Sequence, residues 1–163
     1  MGTLASAIAI GALSTLASLP ALAQPPTSHA GLVGVWTNTN SSTRSIVRIE
    51  IRASGSALTV HPYGACTPTP CDHGVIRAAA FSPSVSNIRS NGFRAGKSFG
   101  FKTTWYNGFL AGQRLSLMTQ DTFSSGDSRY DYTTMETFVK TGALGTEEAG
   151  PVRGDHATDA DLR

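Results

Sequence analysis

Apolar and polar side chains alternate with period two through most of the middle of the chain, a pattern that predicts β-strands. Residues 43–53 place Val47, Ile49 and Ile51 on one face and Ile46, Arg48, Glu50 and Arg52 on the other. Such a strand buries one side and leaves the other wet. Ser54-Gly55-Ser56 reads as a turn. Residues 57–63 return with Leu58 and Val60 inward and Thr59 and His61 outward, so 43–63 is a predicted hairpin. In residues 73–81, Val75, Arg77, Ala79 and Phe81 lie opposite Ile76, Ala78 and Ala80. Residues 82–92 are polar and turn-rich and form the longest expected loop. Phe99, Phe101, Thr103, Trp105 and Phe109 mark a long strand. After Ala111-Gly112-Gln113, residues 114–123 return with Leu115 and Leu117 on one side. Residues 128–140 form the last expected strand, with Tyr130, Tyr132, Thr134, Glu136 and Phe138 opposite Met135 and Val139. Its pattern does not say which side is buried.

Seven or eight short strands joined by tight turns predict an all-β fold. The expected form is a closed antiparallel up-and-down β-barrel of about eight strands, with Trp36, Val47, Ile49 and Ile51 in its core. Closure removes the edges that an open sheet would expose. Eight strands leave room for side chains or one small ligand. A β-sandwich is the alternative.

The ends change the picture. Residues 1–23 carry no charged side chain and close on Ala21-Leu22-Ala23, the small-x-small pattern read by a signal peptidase. Ser, Thr and Gly11 dilute the run and Pro20 breaks it, so it makes a poor membrane anchor. The expected organisation is a cleaved signal peptide at 1–23, an extended arm at 24–33, the barrel at 34–140 and a disordered tail at 141–163. In the tail only Leu144, Val152 and Leu162 are large aliphatics, too few to order it. The protein is therefore expected to act in the periplasm or outside the cell, without stable membrane insertion after cleavage.

Charge adds little. Residues 24–140 carry a net +5 and the tail a net −3. The cations are scattered singly, with no basic run and no interleaved aromatic platform, so no nucleic-acid partner is expected. Both cysteines lie in Cys66-Thr-Pro-Thr-Pro-Cys71. In an exported chain they are expected to pair as a disulfide. A zinc site adding His61, His73 or Asp72, a redox pair and a lone nucleophile are the competing readings. No metal and no cofactor is expected.

Gly34-Val35-Trp36, opening the first strand after a short arm, resembles the Gly-x-Trp motif of calycins, the lipocalin, avidin and related small barrels. Glu136-Thr137-Phe138-Val139-Lys140 resembles the final strand of avidins. Residues 43–72 are similar to uncharacterised exported bacterial domains that share an Arg-x-Glu-x-Arg strand and a Cys-x4-Cys loop. The resemblance implies the barrel, not biotin binding, because this chain has only Trp36 and Trp105 where avidins line their pocket with several Trp residues. Calycin-like inhibitors of bacterial metalloproteases share a small barrel, one disulfide and an N-terminal arm. Residues 24–31 are this chain's counterpart of that arm.

The leading expectation is a non-catalytic binding module, not an enzyme, that recognises a small amphipathic ligand or an extracellular protein surface. His61 and His73 flank the cysteine loop and, with Tyr63 and Asp72, make the densest polar patch. Trp105 and Tyr106 are adjacent, so one of them should be exposed. His61, Tyr63, Trp105 and Tyr106 are the candidate contacts. Inhibition of an extracellular protease through residues 24–31 is one alternative and a small hydrolase another. Gly96-Lys97-Ser98-Phe99-Gly100 matches the nucleophile string of hydrolases, but it opens an expected strand with no helix after it. Glu50, Asp121, Asp131 and Glu136 are read as strand-surface carboxylates paired with arginines.

Overall fold

Every regular element in the computed structural model, which describes residues 26–144, is a β-strand. The strands are β1 (Gly34–Asn38), β2 (Ile46–Ser54), β3 (Ala57–Gly64), β4 (Cys71–Asp72), β5 (Ile76–Phe81), β6 (Gly92–Ser98), β7 (Lys102–Ala111), β8 (Arg114–Phe123) and β9 (Tyr132–Gly142). All pairings between them are antiparallel. The sheet order is β2-β1-β9-β8-β7-β6-β5-β3-β4, and β2 also pairs with β3. That pairing closes eight strands into an up-and-down barrel, with β4 as a short addition beside β3. The sandwich alternative is set aside by it. A closed eight-stranded antiparallel barrel is consistent with the calycin layout. The leader 1–23, residues 24 and 25 of the expected arm and residues 145–163 of the expected tail lie outside the described residues. Thr141 and Gly142, assigned to the tail, instead finish β9, where Gly142 pairs with Val35. Among the described residues no helix is long and apolar enough to cross a membrane.

The core follows the period-two pattern except where the backbone or a neighbouring strand shifts it. Trp36, Ile49 and Ile51 are buried as expected, with Leu58, Val60, Tyr106, Leu115, Leu117 and Phe138. Val47 is not in that cluster; Ile46 takes its place. The cause is a β-bulge. Ile46 pairs with Gly64 and Arg48 with Tyr63, so Val47 is the extra residue and alternation slips by one.

The strand expected from Phe99 is interrupted. Phe99, Gly100 and Phe101 turn the chain between β6 and β7. The apolar set of β7 also proves to be its outer face. Phe101 and Phe109 are about half exposed (48% and 46%), whereas Thr104, Tyr106 and Gly108 point inward. Glycines explain this choice. A Cβ at Gly108 would meet the Phe93 ring at 2.3 Å, so that ring fills the space on the inside. A Cβ at Gly96 would meet the Trp105 ring at 2.5 Å, so Trp105 lies over Gly96 on the outside, with the Arg94 guanidinium 4.1 Å from its ring centre.

The two ends of the barrel differ. At the end where β1 starts, residues 26–33 lie against the barrel rather than projecting as an extended arm. The backbone amides of Thr27 and Ser28 donate to the Ile88 carbonyl, and Ser28 bridges Arg89. His29 is buried, hydrogen-bonded through Nδ1 to Ser90 Oγ (2.9 Å) and through Nε2 to the Ser56 carbonyl (3.2 Å). Leu32 is fully buried, and its carbonyl accepts from Trp36 Nε1 at 2.7 Å. Lys140 Nζ donates to the carbonyls of Gly31 and Val33 and sits 4.9 Å from the centre of the Trp36 ring. The Gly-x-Trp motif thus anchors a plug. The opposite end remains open.

Candidate functional site

The open end is framed by residues 39–45, 65–75, 99–101 and 124–131, the connections at which β1, β3, β6 and β8 finish. Inside it lies a cavity of about 170 Å³, lined among others by Arg44, Ser45, His73, Lys102, Thr104, Thr119, Asp121, Tyr132 and Thr134. Below it the barrel is filled by Tyr106, Phe138, Trp36 and the aliphatic core. Cys66 and Cys71 also line the cavity. They are joined as a disulfide, with Cα atoms 5.3 Å apart. The bond is compatible with an oxidising compartment. Among the described residues no cluster of three His, Cys, Asp or Glu could hold a metal ion.

Register builds the polar wall. β7 and β8 pair Thr104 with Asp121 and Tyr106 with Thr119, and β9 continues the rows with Tyr132 and Thr134. Asp121 is almost fully buried. Lys102 Nζ donates to one of its oxygens at 2.7 Å and the Thr104 hydroxyl donates to the other. Burial alone would raise its pKa. The bonds from Lys102 and Thr104, with the Tyr132 hydroxyl close by, outweigh that effect and hold the carboxyl below its usual range. Tyr132, beside the same carboxylate, has its phenol pushed up to about 12. Glu136, on the same inward face of β9, accepts from the Thr43 hydroxyl and from the Ile46 backbone amide. Asp121 and Glu136 are therefore interior groups rather than the arginine-paired surface carboxylates expected. Glu50 is such a group, beside Arg48 (3.5 Å) and Arg52 (3.6 Å).

His73 closes one side of the mouth. Its ring is largely buried, and desolvation followed by the charge of Lys102 lowers its pKa. Burial raises the pKa of Tyr106, which keeps its proton and shares a hydrogen bond with His73 Nδ1 at 2.6 Å. Thr119 is buried, and its Oγ1 has no hydrogen-bond partner among the described residues.

The sequence-nominated contacts do not form one site. Tyr106 is interior, with no exposed surface, and supports the mouth from beneath. Trp105 faces outward on β7. His61 and Tyr63 face outward on β3. There His61 Nε2 bonds Asp72 at 2.5 Å and Nδ1 bonds the Tyr63 hydroxyl at 3.1 Å, while the Arg48 guanidinium lies 4.0 Å from the Tyr63 ring centre. This wall is braced by its own polar bonds and lies outside the barrel. Ser98 Oγ accepts from the Gly100 amide at 3.4 Å and is joined to no histidine among the described residues. The mouth residues Lys102, Thr104, Thr119 and Asp121 were not nominated as contacts. One signal for them was available: Thr104, Thr119 and Asp121 share parity with Tyr106, Leu115 and Leu117 on two long adjacent strands.

Comparison of the chain with protein-family models, curated proteins and solved structures returns no match.

Proposed function

We propose that the protein is a non-catalytic binding module that holds a small polar molecule in the open mouth of its barrel. The observation that carries this reading is the polar cavity itself. It is the unfilled part of an interior otherwise packed with side chains, and its wall includes a buried hydroxyl without a partner. The cavity is smaller than the roughly 300–1,000 Å³ of sites for drug-sized ligands. At about 30 Å³ each it has room for about six water molecules. It adjoins a shallower depression along β9, which shares Arg44, Ser45, Tyr132 and Thr134 and gives a longer molecule a way out of the mouth.

The disulfide at the rim and the apolar leader with its small-x-small ending support action outside the cytoplasm, after export. Inhibition of a protease by residues 24–31 draws less support, because entering a protease would first require extracting buried His29 and Leu32. The hydrolase reading draws none from Ser98, which bonds no histidine or carboxylate among the described residues. Recognition of a protein surface keeps one observation in its favour. Phe101, Tyr130 and Tyr132 stand exposed beside the mouth, and Arg129 lies 4.9 Å from the Phe101 ring centre and 4.3 Å from that of Phe123.

Backbone amide NMR shifts, followed while a panel of small polar metabolites is added, test the proposal. The expected result is saturable shifts centred on Arg44, Lys102, Thr119 and Asp121. A panel that leaves the mouth unmoved, or moves only the His61–Tyr63 wall, would overturn it.

A further inference from the structure

Building on the mouth as the binding site, we infer that its ligand is a small singly charged anion bearing a carboxylate, met by Arg44, Lys102, Thr119 and His73. The argument is an inventory of what the wall still offers. Asp121, the one carboxylate in that wall, is almost fully buried, accepts from Lys102 and Thr104, and has its charge balanced by the Lys102 ammonium, so it draws an incoming ammonium group weakly. The remaining groups are donors. A Lys ammonium carries three N–H bonds, and here one is committed to Asp121. His73 Nε2 has no hydrogen-bond partner among the described residues and is a donor in the tautomer in which Tyr106 donates to Nδ1. Thr119 has an unpartnered hydroxyl that is itself buried. Arg44 takes part in none of the ion pairs of the described residues, which join Arg48 and Arg52 to Glu50, His61 to Asp72, Lys102 to Asp121 and Arg129 to Asp127.

Charge gives the same answer. Within the cavity's own lining Arg44 and Lys102 outnumber Asp121, while Glu136 lines the adjoining depression, where its carboxylate is taken up by the Thr43 hydroxyl and the Ile46 amide, and burial keeps His73 neutral near pH 7. A carboxylate matches both that charge and the planar fork of a guanidinium. A cation would meet two like charges. A neutral amide would leave Arg44 without a counter-charge.

Acetate, acetamide and methylammonium are near-equal in size and differ in charge, so they separate this inference from the reading beneath it. In amide-detected NMR titrations at pH 7 and constant ionic strength, acetate is expected to give saturable shifts at Arg44, Lys102 and Thr119. Arg44→Gln, an exposed position whose loss leaves the barrel intact, should weaken acetate at least about fivefold, and Thr119→Val should weaken it as well. Saturable mouth shifts with acetamide or methylammonium but not acetate would overturn the anion and leave the mouth standing as a site. Mouth residues unmoved by all three would overturn both.

Discussion

Asp121 and Lys102 form the most consequential pair of side chains in the molecule. The carboxylate is buried and the ammonium is about one fifth exposed. Replacing Lys102 with Met strands a buried charge and should cost about 2 kcal/mol, toward the lower end for such pairs because Lys102 reaches water. Chemical denaturation at pH 7 measures it. Acid adds a second handle. The Asp121 carboxyl sits below its ordinary value of 3.8, so its contribution is fully present above that pH and is lost as pH falls through the lower folded value. Asp121→Asn should flatten that part of the acid limb. An unchanged limb would show that the carboxylate is not held by its neighbours. His73 also has a depressed folded pKa, and its ordinary value is 6.5. The unfolded chain takes up its proton first, so stability declines as pH drops below about 6.5. The imidazole NMR titration should have its midpoint below that of a free histidine. Thr119→Val removes a hydroxyl with no partner and should leave stability unchanged or raise it by up to about 1 kcal/mol. A clear loss would mean that the hydroxyl is already satisfied. Of these four side chains only His73 stood out in the sequence, as a member of the polar patch around the cysteine loop. A polar residue on an inward face has the spelling of one on an outward face, and only the closed ring of strands decides between them.

Among the elements, β2 shows how far alternation carries and where it fails. Its hairpin with β3, the turn at Gly55 and the inward Leu58 and Val60 follow from period two alone. The bulge at Val47 does not, because it depends on how β2 meets the partner strand. Ile46→Ala should therefore cost about 2–4 kcal/mol, the usual range for emptying a core site, and Val47→Ala about 1 kcal/mol or less. Urea melts of the two variants decide it, and a larger loss at Val47 would return that residue to the core. β7 failed for a related reason. Its aromatic face looks like a core face until Gly96 is seen to give Trp105 a flat seat on the outside. The cysteine loop was legible, since the only two cysteines stand five positions apart and have one obvious partner each. Replacing both with serine removes a short ring worth roughly 2 kcal/mol in the chain-entropy model. It should also loosen the mouth, because both residues line it.

Over the whole molecule, the closed barrel was readable because eight alternating segments leave few other ways to bury one face of each. The polarity of its two ends was not, since that depends on what folds over each opening. One end is shut by residues 26–33, with Leu32 and Trp36 at its centre. The other holds charge, hydroxyls and open volume. That asymmetry is the account's central claim, and it ties function to the mouth rather than to the His61–Tyr63 wall. The most direct measurement is a crystal structure of the protein grown with saturating carboxylate. The account predicts density for one molecule within hydrogen-bonding distance of Thr119 Oγ1, the Lys102 ammonium and the Arg44 guanidinium, above an unchanged aromatic core. A mouth filled by the protein's own side chains, or a molecule seated only on the outer wall, would contradict it.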